Sequence, residues 1–419
     1  MAEEAKGILV VGGGISGITA AVEAAEVGYE VTLIEKNPYL GGRVAQLNKY
    51  FPKLCPPNCG LEINFRRIKN NPRIKFYTLA EVENISGKEG DFDVIVKLNP
   101  RYVNHNCTAC NACVEACPIE RPNDFNFGMD KTRSIYLPHE FAFPLRYVID
   151  ERYCTKEKCS KCLQACAYNA IDLNMKAQSL SLKVGSIVWA TGWSPYEATK
   201  IDNLGFGKYP NVITNMMMER LASFNGPTKG KILRPSDGKE VSRVAFVQCA
   251  GSRDENHLPY CSYICCLASM KQASYVREQY PQAEVSIFYI DIRTPGRYER
   301  VYSKAQKDEK IKFIKGKVAK IEEDPATKDL TVTAEDTLTG KKIYEKVELV
   351  VLATGMAPST KEWRLPANIS YDTDGFITPN KGIGGMYAAG CALKPLDVYS
   401  SVQEGTAAAL KAIQSLVRR

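Results

Sequence analysis

The chain has 419 residues, with 45% hydrophobic and 24% charged side chains, enough for two or three soluble domains with sizeable cores. The net charge of +8 is spread along the chain; it suits an acidic protein partner or an anionic membrane surface, and without a basic–aromatic platform it argues against nucleic acid. No apolar run approaches the length of a membrane span, no secretory signal precedes the first strand, and 15 cysteines in metal-like spacings point to a reducing cytoplasm rather than a disulfide framework.

Residues Gly7 to Val11 predict a short buried strand, followed at once by Gly12-x-Gly14-x-x-Gly17, a helix containing Ala21, Gly28, and a second strand over Tyr29 to Ile34 that ends on Glu35. Gly12 permits a tight turn, Gly14 lets the backbone approach a pyrophosphate, and Gly17 allows close helix–strand packing. The helix N-terminus offers free N–H groups to the diphosphate, and Glu35 stands where an acid bonds ribose hydroxyls. The fingerprint alone fits FAD or NAD.

Gly41-Gly42-Arg43 comes next, then a loop with Cys55 and Cys59 separated by three residues, two of them prolines. That pair reads as a redox-active thiol pair near a flavin, as supplementary cluster ligands, or as two buried thiols in a rigid loop. After a strand over Asp91 to Lys97 comes the run Cys107-x2-Cys110-x2-Cys113-x3-Cys117-Pro118, and later Cys154-x4-Cys159-x2-Cys162-x3-Cys166. This is the spacing of a ferredoxin module with two 4Fe–4S clusters, in which the fourth cysteine of each run crosses to the other cluster. Cys107, Cys110, Cys113 and Cys166 are expected on one cluster, and Cys154, Cys159, Cys162 and Cys117 on the other. Zinc also takes Cys-x2-Cys pairs, but rarely four so close with a proline after the fourth. Ala167 replaces the second such proline. Asn123 to His139, with little periodicity, predicts a joining loop.

A strand over Ser179 to Ala190 leads into Ala190-Thr191-Gly192, and a second such turn, Ala353-Thr354-Gly355, follows another β-branched strand. Between them Val244–Val247, a helix over Ala268 to Glu278, and Val285–Tyr289 with Asp291 outline a second βαβ unit. Its glycine triplet is missing; Gln248-Cys249-Ala250-Gly251-Ser252-Arg253 stands there, followed by Cys261, Cys265 and Cys266. Cys249, Cys261, Cys265 and Cys266 are expected to ligate a third 4Fe–4S cluster; the plainer alternative is buried free thiols. Gly385 to Gly390 predicts a last strand, with Cys391 after it and a helix over Val402 to Leu416. His105, His139 and His257 are scattered, and Met216 to Met218 reads as core filler.

The glycine pair, the two Ala-Thr-Gly turns and the last strand resemble the two-dinucleotide-binding flavoproteins of the glutathione and thioredoxin reductase type. That resemblance implies FAD on Gly12, Gly14, Gly17, Glu35, Lys36, Gly42, Arg43, Val82, Thr191, Gly192, Gly390 and Cys391. Cys391 stands where those proteins usually carry an aspartate, so the ribityl contact must change. The expected fold class is α/β, two dinucleotide-binding domains with an inserted two-cluster ferredoxin module. The flavin domain takes 1–99, 177–239 and 345–419, the ferredoxin insertion 100–176, and the cysteine-altered Rossmann-like domain 240–344.

Gly42-Arg43, Gln248-Cys249-x-Gly251-Ser252-Arg253, Cys265-Cys266 and Gly390-Cys391-Ala392 further resemble the HdrA family of heterodisulfide reductase subunits. The compact length and the loop Phe51 to Gly60 look most like its branch in the quinone-interacting membrane-bound oxidoreductases (QmoA). That resemblance implies an electron-transfer subunit linking the quinone pool to adenylylsulfate reductase in dissimilatory sulfur metabolism. Its partners are a QmoB-like subunit with flavin and iron–sulfur centres and a QmoC-like quinone-reactive protein in the membrane, so that membrane contact is indirect, on the cytoplasmic face. The alternatives are an electron-bifurcating HdrA-type subunit, a single-chain pyridine nucleotide–disulfide reductase, which the missing second triplet argues against, and a cluster scaffold without flavin, which the intact first fingerprint argues against.

Overall fold

The computed structural model describes residues 7–156, 159–382 and 384–417; residues 1–6, 157–158, 383 and 418–419 of the expected domains lie outside the described residues. The chain divides into two compact units, Met1–Trp193 with Pro358–Lys394 and Val398–Arg419, and Ser194–Ala357 with Pro395–Asp397.

The first unit is built on a seven-stranded sheet in the order Ile74–Thr78, Val31–Glu35, Gly7–Val11, Gln178–Trp189, Asp91–Leu98, Ala80–Lys88, with Met386–Ala388 also on Gln178–Trp189. That twelve-residue strand has two characters. Its first half pairs antiparallel with Asp91–Leu98 and is partly solvated, whereas its second half pairs parallel with Gly7–Val11 and is buried throughout. Parallel strands covered on both faces are apolar without alternation, and Val184 to Trp189 fit that rule. The helices Ile15–Glu26 and Val398–Val417 pack together, with Gly405 so close to the first that a Cβ there would lie 2.5 Å from the Ser16 carbonyl oxygen. Ala20, Ala21, Ala24, Ala408 and Ala412 fill this tight core. Leu9, Ile34, Val82, Phe92 and Trp189 form the other core of the sheet.

The cysteine-rich insertion leaves the sheet after Leu98 and returns at Gln178. It holds two five-residue helices, Ala112–Ala116 and Lys161–Ala165. The segment Asn123 to His139 is not a plain loop. Asn123 Oδ1 caps a short helical turn at Asp124–Asn126, and Lys131–Arg133 and Ile135–Tyr136 pair with Glu120–Pro122 and Val148–Ile149. Strands of two or three residues are too short to show a period, so the sequence pattern misses them. Phe143 ties the insertion to this unit, stacked at 4.9 Å on Phe65 of the helix Pro57–Asn70 and 5.1 Å from Phe76 of the strand Ile74–Thr78. Arg101 adds to this: its buried guanidinium donates to the carbonyls of Arg146 and Tyr147, to Pro38 O, and to Thr78 Oγ1.

The second unit carries a five-stranded parallel sheet in the order Val212–Thr214, Leu349–Thr354, Arg243–Ala250, Glu284–Tyr289, Ile311–Lys315, and a three-stranded antiparallel sheet of Val318–Glu323, Leu330–Asp336 and Lys341–Val347. The helix Cys265–Gln279 connects Arg243–Ala250 to Glu284–Tyr289, giving the expected βαβ unit. This unit takes in residues expected in the flavin domain, because Val212–Thr214 and Leu349–Thr354 hydrogen-bond into its sheet. Met216 and Met218 are core residues here.

Candidate functional site

In the first unit the dinucleotide turn is set by close backbone approach. Gly12 has φ +111°, and a Cβ on Gly17 would lie 1.8 Å from the Gly12 carbonyl oxygen. Gly41 N–H donates to Gly13 O at 2.8 Å, and a Cβ on Gly42 would fall 2.8 Å from Gly14 Cα, so the two glycine motifs lie against each other. Around Gly14, by contrast, a Cβ meets nothing within 4 Å. Gly14 caps the helix Ile15–Glu26 with no side-chain acceptor, and no acid occupies the first turn. Bare N–H groups, a positive helix end and open space together form a cradle suited to a diphosphate.

Glu35 is buried at the end of its strand. Its Oε2 accepts from Gly13 N–H and its Oε1 from the backbone and side chain of Asn37, each at 2.7 Å. Burial pushes its carboxyl above the usual range despite these bonds. Gly13 and Asn37 were not singled out in the sequence; the only signal was their place beside the fingerprint and the acid. Lys36 is exposed, and the Val82 side chain is in the core. Arg43 is half-buried, donating to Gln46 Oε1 at 3.1 Å and to Trp193 O at 3.4 Å, and burial lowers its guanidinium from the ordinary value. Thr191 Oγ1 is buried without a partner, and Gly192 has φ +68° with open space where a Cβ would be. Gly390 packs on Ser16, and the buried Cys391 sulfur lies 3.8 Å from Ser401 Oγ. The residues present fit a dinucleotide cofactor: an open cradle, a buried acid, and an unpaired hydroxyl.

The insertion groups its eight cysteines across the two runs. Cys107, Cys110, Cys113 and Cys166 line one small cavity, together with Asn111 and Tyr147. Burial, then Cys107, pushes the Cys113 thiol up to about 12. Around Cys162 the influential neighbours are Cys154, Cys117 and Cys159, after burial, and its thiol is raised too. Cys117 and Cys166 have thus each crossed to the other run's set. Lys156 N–H points at Cys154 Sγ and Ala170 N–H at Cys166 Sγ, both at 3.4 Å. Crowded, desolvated thiols of this kind favour their protons until a metal centre takes the thiolate charge, so loading releases protons. Among the described residues no three or more His, Cys, Asp or Glu are set as a single-ion site.

The second unit brings Cys249, Cys261, Cys265 and Cys266 together. Burial raises the Cys249 thiol to about 11, with Cys266 and Cys261 adding to it. Cys265, raised well above its ordinary value by burial, feels Cys249, Cys266 and Cys261. The turn that carries them is left-handed at Cys249, Gly251, Arg253 and Tyr263. It is fixed by Ser252 and Ser262 hydroxyls 2.9 Å apart and by Met356 N–H on Ser262 Oγ. Tyr263 N–H reaches Cys261 Sγ at 3.3 Å. Gln248 is buried with both side-chain polar atoms unpaired, which suits a polar group bound beside it.

Cys55 and Cys59 flank the start of the helix Pro57–Asn70, with Cys59 exposed. Tyr50 stands between them in influence: burial and then Cys55 raise its hydroxyl, and Cys59 adds to this. The structure places these two thiols beside Tyr50 and brings neither into the two cysteine sets of the insertion. Among the described residues no helix is long and apolar enough to cross a membrane.

A family model described as FAD dependent oxidoreductase matches residues 7–51, the segment that forms the cradle. The second form of the HdrA iron–sulfur subunit of the CoB–CoM heterodisulfide reductase of Methanopyrus kandleri is 43% identical over 421 residues, covering 97% of this chain and 64% of that protein. The HdrA iron–sulfur subunit of the Methanocaldococcus jannaschii enzyme is 41% identical over 420 residues, covering 96% and 63%. The thioredoxin reductase of T. acidophilum superposes with a TM-score of 0.56 at 16% identity, over 99% of this chain and 100% of that one. Such identity speaks for the fold alone. The chain thus has the α/β fold of the thioredoxin reductase-like flavoproteins with a cysteine-rich insertion, spans less than two thirds of the curated relatives it matches, and is related over nearly its whole length to the HdrA subunits of heterodisulfide reductases.

Proposed function

We propose that the chain is a flavin- and iron–sulfur-bearing electron-transfer subunit of an oxidoreductase complex of the heterodisulfide reductase type, active as part of that complex. The observation that carries this reading is an intact dinucleotide cradle in a chain with three groupings of four cysteines, one of them in place of a second nucleotide turn. A bound FAD would carry two electrons and pass them on singly to iron–sulfur clusters, which carry one each. Gly14 and the helix start hold the diphosphate in a turn shaped by Gly12 and Gly17, Glu35 holds the ribose, and Arg43 and Thr191 offer a cation and a hydroxyl to the rest of the cofactor. Cys107, Cys110, Cys113 and Cys166 ligate one cluster, Cys154, Cys159, Cys162 and Cys117 a second, and Cys249, Cys261, Cys265 and Cys266 a third. Backbone N–H groups on Cys154, Cys166 and Cys261 sulfur stabilise the thiolates and raise the potentials of what they hold.

The identity to heterodisulfide reductase subunits supports that type of complex. The narrower placement, between a quinone-reactive membrane protein and adenylylsulfate reductase, is supported by the Phe51 to Gly60 loop. Gentle anaerobic isolation with crosslinking decides between them. A quinone-reactive membrane protein and adenylylsulfate reductase in the isolate establish the narrower placement; a heterodisulfide-reducing subunit with hydrogenase removes it. Recovery of the chain alone, with full turnover of a disulfide by NADPH, refutes the subunit reading.

A further inference from the structure

In dinucleotide-binding units the acid at the end of the second strand meets a ribose. Asp291 stands just past Glu284–Tyr289 in the second unit, and both of its carboxylate oxygens are engaged. Arg253 Nη1 donates to Oδ1, and Arg293 Nη2 lies 3.5 Å from Oδ2. The same short segment meets the cysteines: Cys266 Sγ lies 3.7 Å from Asp291 O, and the Arg293 backbone N–H donates to Cys266. Arg253 follows Cys249 by four residues in the left-handed turn and acts on its thiol, and Cys261 is the foremost influence on the Arg293 guanidinium. Two cations against one carboxylate leave a surplus positive charge facing four thiols.

We infer that Arg253 and Arg293, held in place by Asp291, are positioning residues that compensate the negative charge of the cluster on Cys249, Cys261, Cys265 and Cys266 and so set its potential. This rests on the third-cluster reading above. A cluster with four thiolates is anionic and gains a further negative charge on reduction, so fixed cations beside it favour the reduced state. Asp291 pairs with both arginines beside the cysteines, and it sits at the position where a nucleotide-binding unit would spend its acid on ribose. Arg253 has 26% of its side-chain surface exposed and Arg293 46%, so salt screens the second more than the first.

The test is a potentiometric titration, followed by electron paramagnetic resonance, of the anaerobically prepared full chain. Cys265→Ala first identifies the third cluster as the signal it removes. In Arg253→Gln and Arg293→Gln that signal should become harder to reduce. Its reduced-to-oxidised ratio at a fixed potential should fall roughly three- to tenfold in each, tenfold being about 59 mV for one electron. Arg253→Lys should recover most of the shift, and added salt should shrink the effect of Arg293→Gln more than that of Arg253→Gln. If a glutamine variant fails to hold this cluster while the lysine variant holds it, charge compensation is upheld at the stage of assembly. An unmoved potential in both glutamine variants overturns the inference, as does a lysine variant shifted as far as its glutamine counterpart. If Cys265→Ala removes no signal, the third-cluster reading itself has failed.

Discussion

Gly14 and Gly17 belong to one turn, yet the structure assigns their hydrogens to different tasks. A Cβ on Gly17 would sit 1.8 Å from the Gly12 carbonyl oxygen and 3.2 Å from Ala190 Cβ, so Gly17→Ala forces backbone apart inside the core. Overpacking of this kind costs about 1–3 kcal/mol or more, before any cofactor is considered. A side chain on Gly14 meets no protein atom within 4 Å, and its φ of −75° suits any residue. Gly14→Val therefore costs the apoprotein only a weakened helix cap, about 1 kcal/mol, or ~2–4 °C in Tm for a unit of this size. The valine instead fills the space into which the diphosphate must come. Wild type with FAD at 100 times its Kd gains about 2.7 kcal/mol from binding, which Gly14→Val should lose. The assay is thermal melting of reconstituted apoprotein with and without FAD, alongside flavin absorbance after gel filtration. Stoichiometric flavin and an undiminished FAD-dependent rise in Tm in Gly14→Val would refute the cradle. An apoprotein Gly14→Val melting as low as Gly17→Ala would refute the packing argument.

Three other outcomes are expected. NADH and NADPH should fail to bleach the flavin of the isolated chain under anaerobic conditions at a catalytic rate, since thiols replace the second phosphate turn; stopped-flow absorbance checks this, and rapid bleaching contradicts it. Iron should amount to about twelve atoms per chain, falling towards eight in Cys265→Ala, with Cys55→Ala and Cys59→Ala unchanged; twelve retained in Cys265→Ala removes the third cluster. Burial raises the folded-state carboxyl of Glu35 above its ordinary 4.5, so its contribution to apoprotein stability is whole below about pH 4.5 and is lost as pH climbs through the raised value. Denaturant melts should show this decline in wild-type apoprotein and its absence in Glu35→Gln.

Much of the flavin cradle was legible because its demands are local. Gly12 needs a left-handed φ and Gly17 a missing Cβ, and both needs are written into a six-residue window. The crossing of Cys117 and Cys166 was legible for a different reason: two matched cysteine runs carry an implied pseudo-symmetry, and the cavity around Cys107, Cys110, Cys113 and Cys166 follows it. The limit of the second unit was not legible. Val212–Thr214 is a three-residue strand with no period to read, and only its pairing with Leu349–Thr354 reveals which sheet it joins. Nor did the sequence announce Arg101, or the pairing of Asp291 with arginines. Arg101 reaches Pro38 and Thr78, and Asp291 binds Arg253, across distances in sequence where neither spacing nor composition marks the pairing.

The two βαβ units show why losing a glycine triplet need not mean losing the electrostatics that went with it. In the first, the helix Ile15–Glu26 begins directly after Gly14, uncapped, with its positive end and free N–H groups open to a diphosphate. In the second, the strand Arg243–Ala250 ends in a left-handed Cys249, and the helix begins only at Cys265, after a turn pinned by Ser252, Ser262 and Arg253. That helix too lacks a side-chain cap, and its first two residues are Cys265 and Cys266. A helix N-terminus favours a thiolate for the same reason that it favours a phosphate. The field that would have held a nucleotide's diphosphate thus falls on sulfur. A nicotinamide coenzyme and a thiolate-bound cluster cannot share that helix end. Retention of the frame with replacement of the turn fits the proposed reading, in which electrons reach the unit within a complex rather than from a diffusing nucleotide.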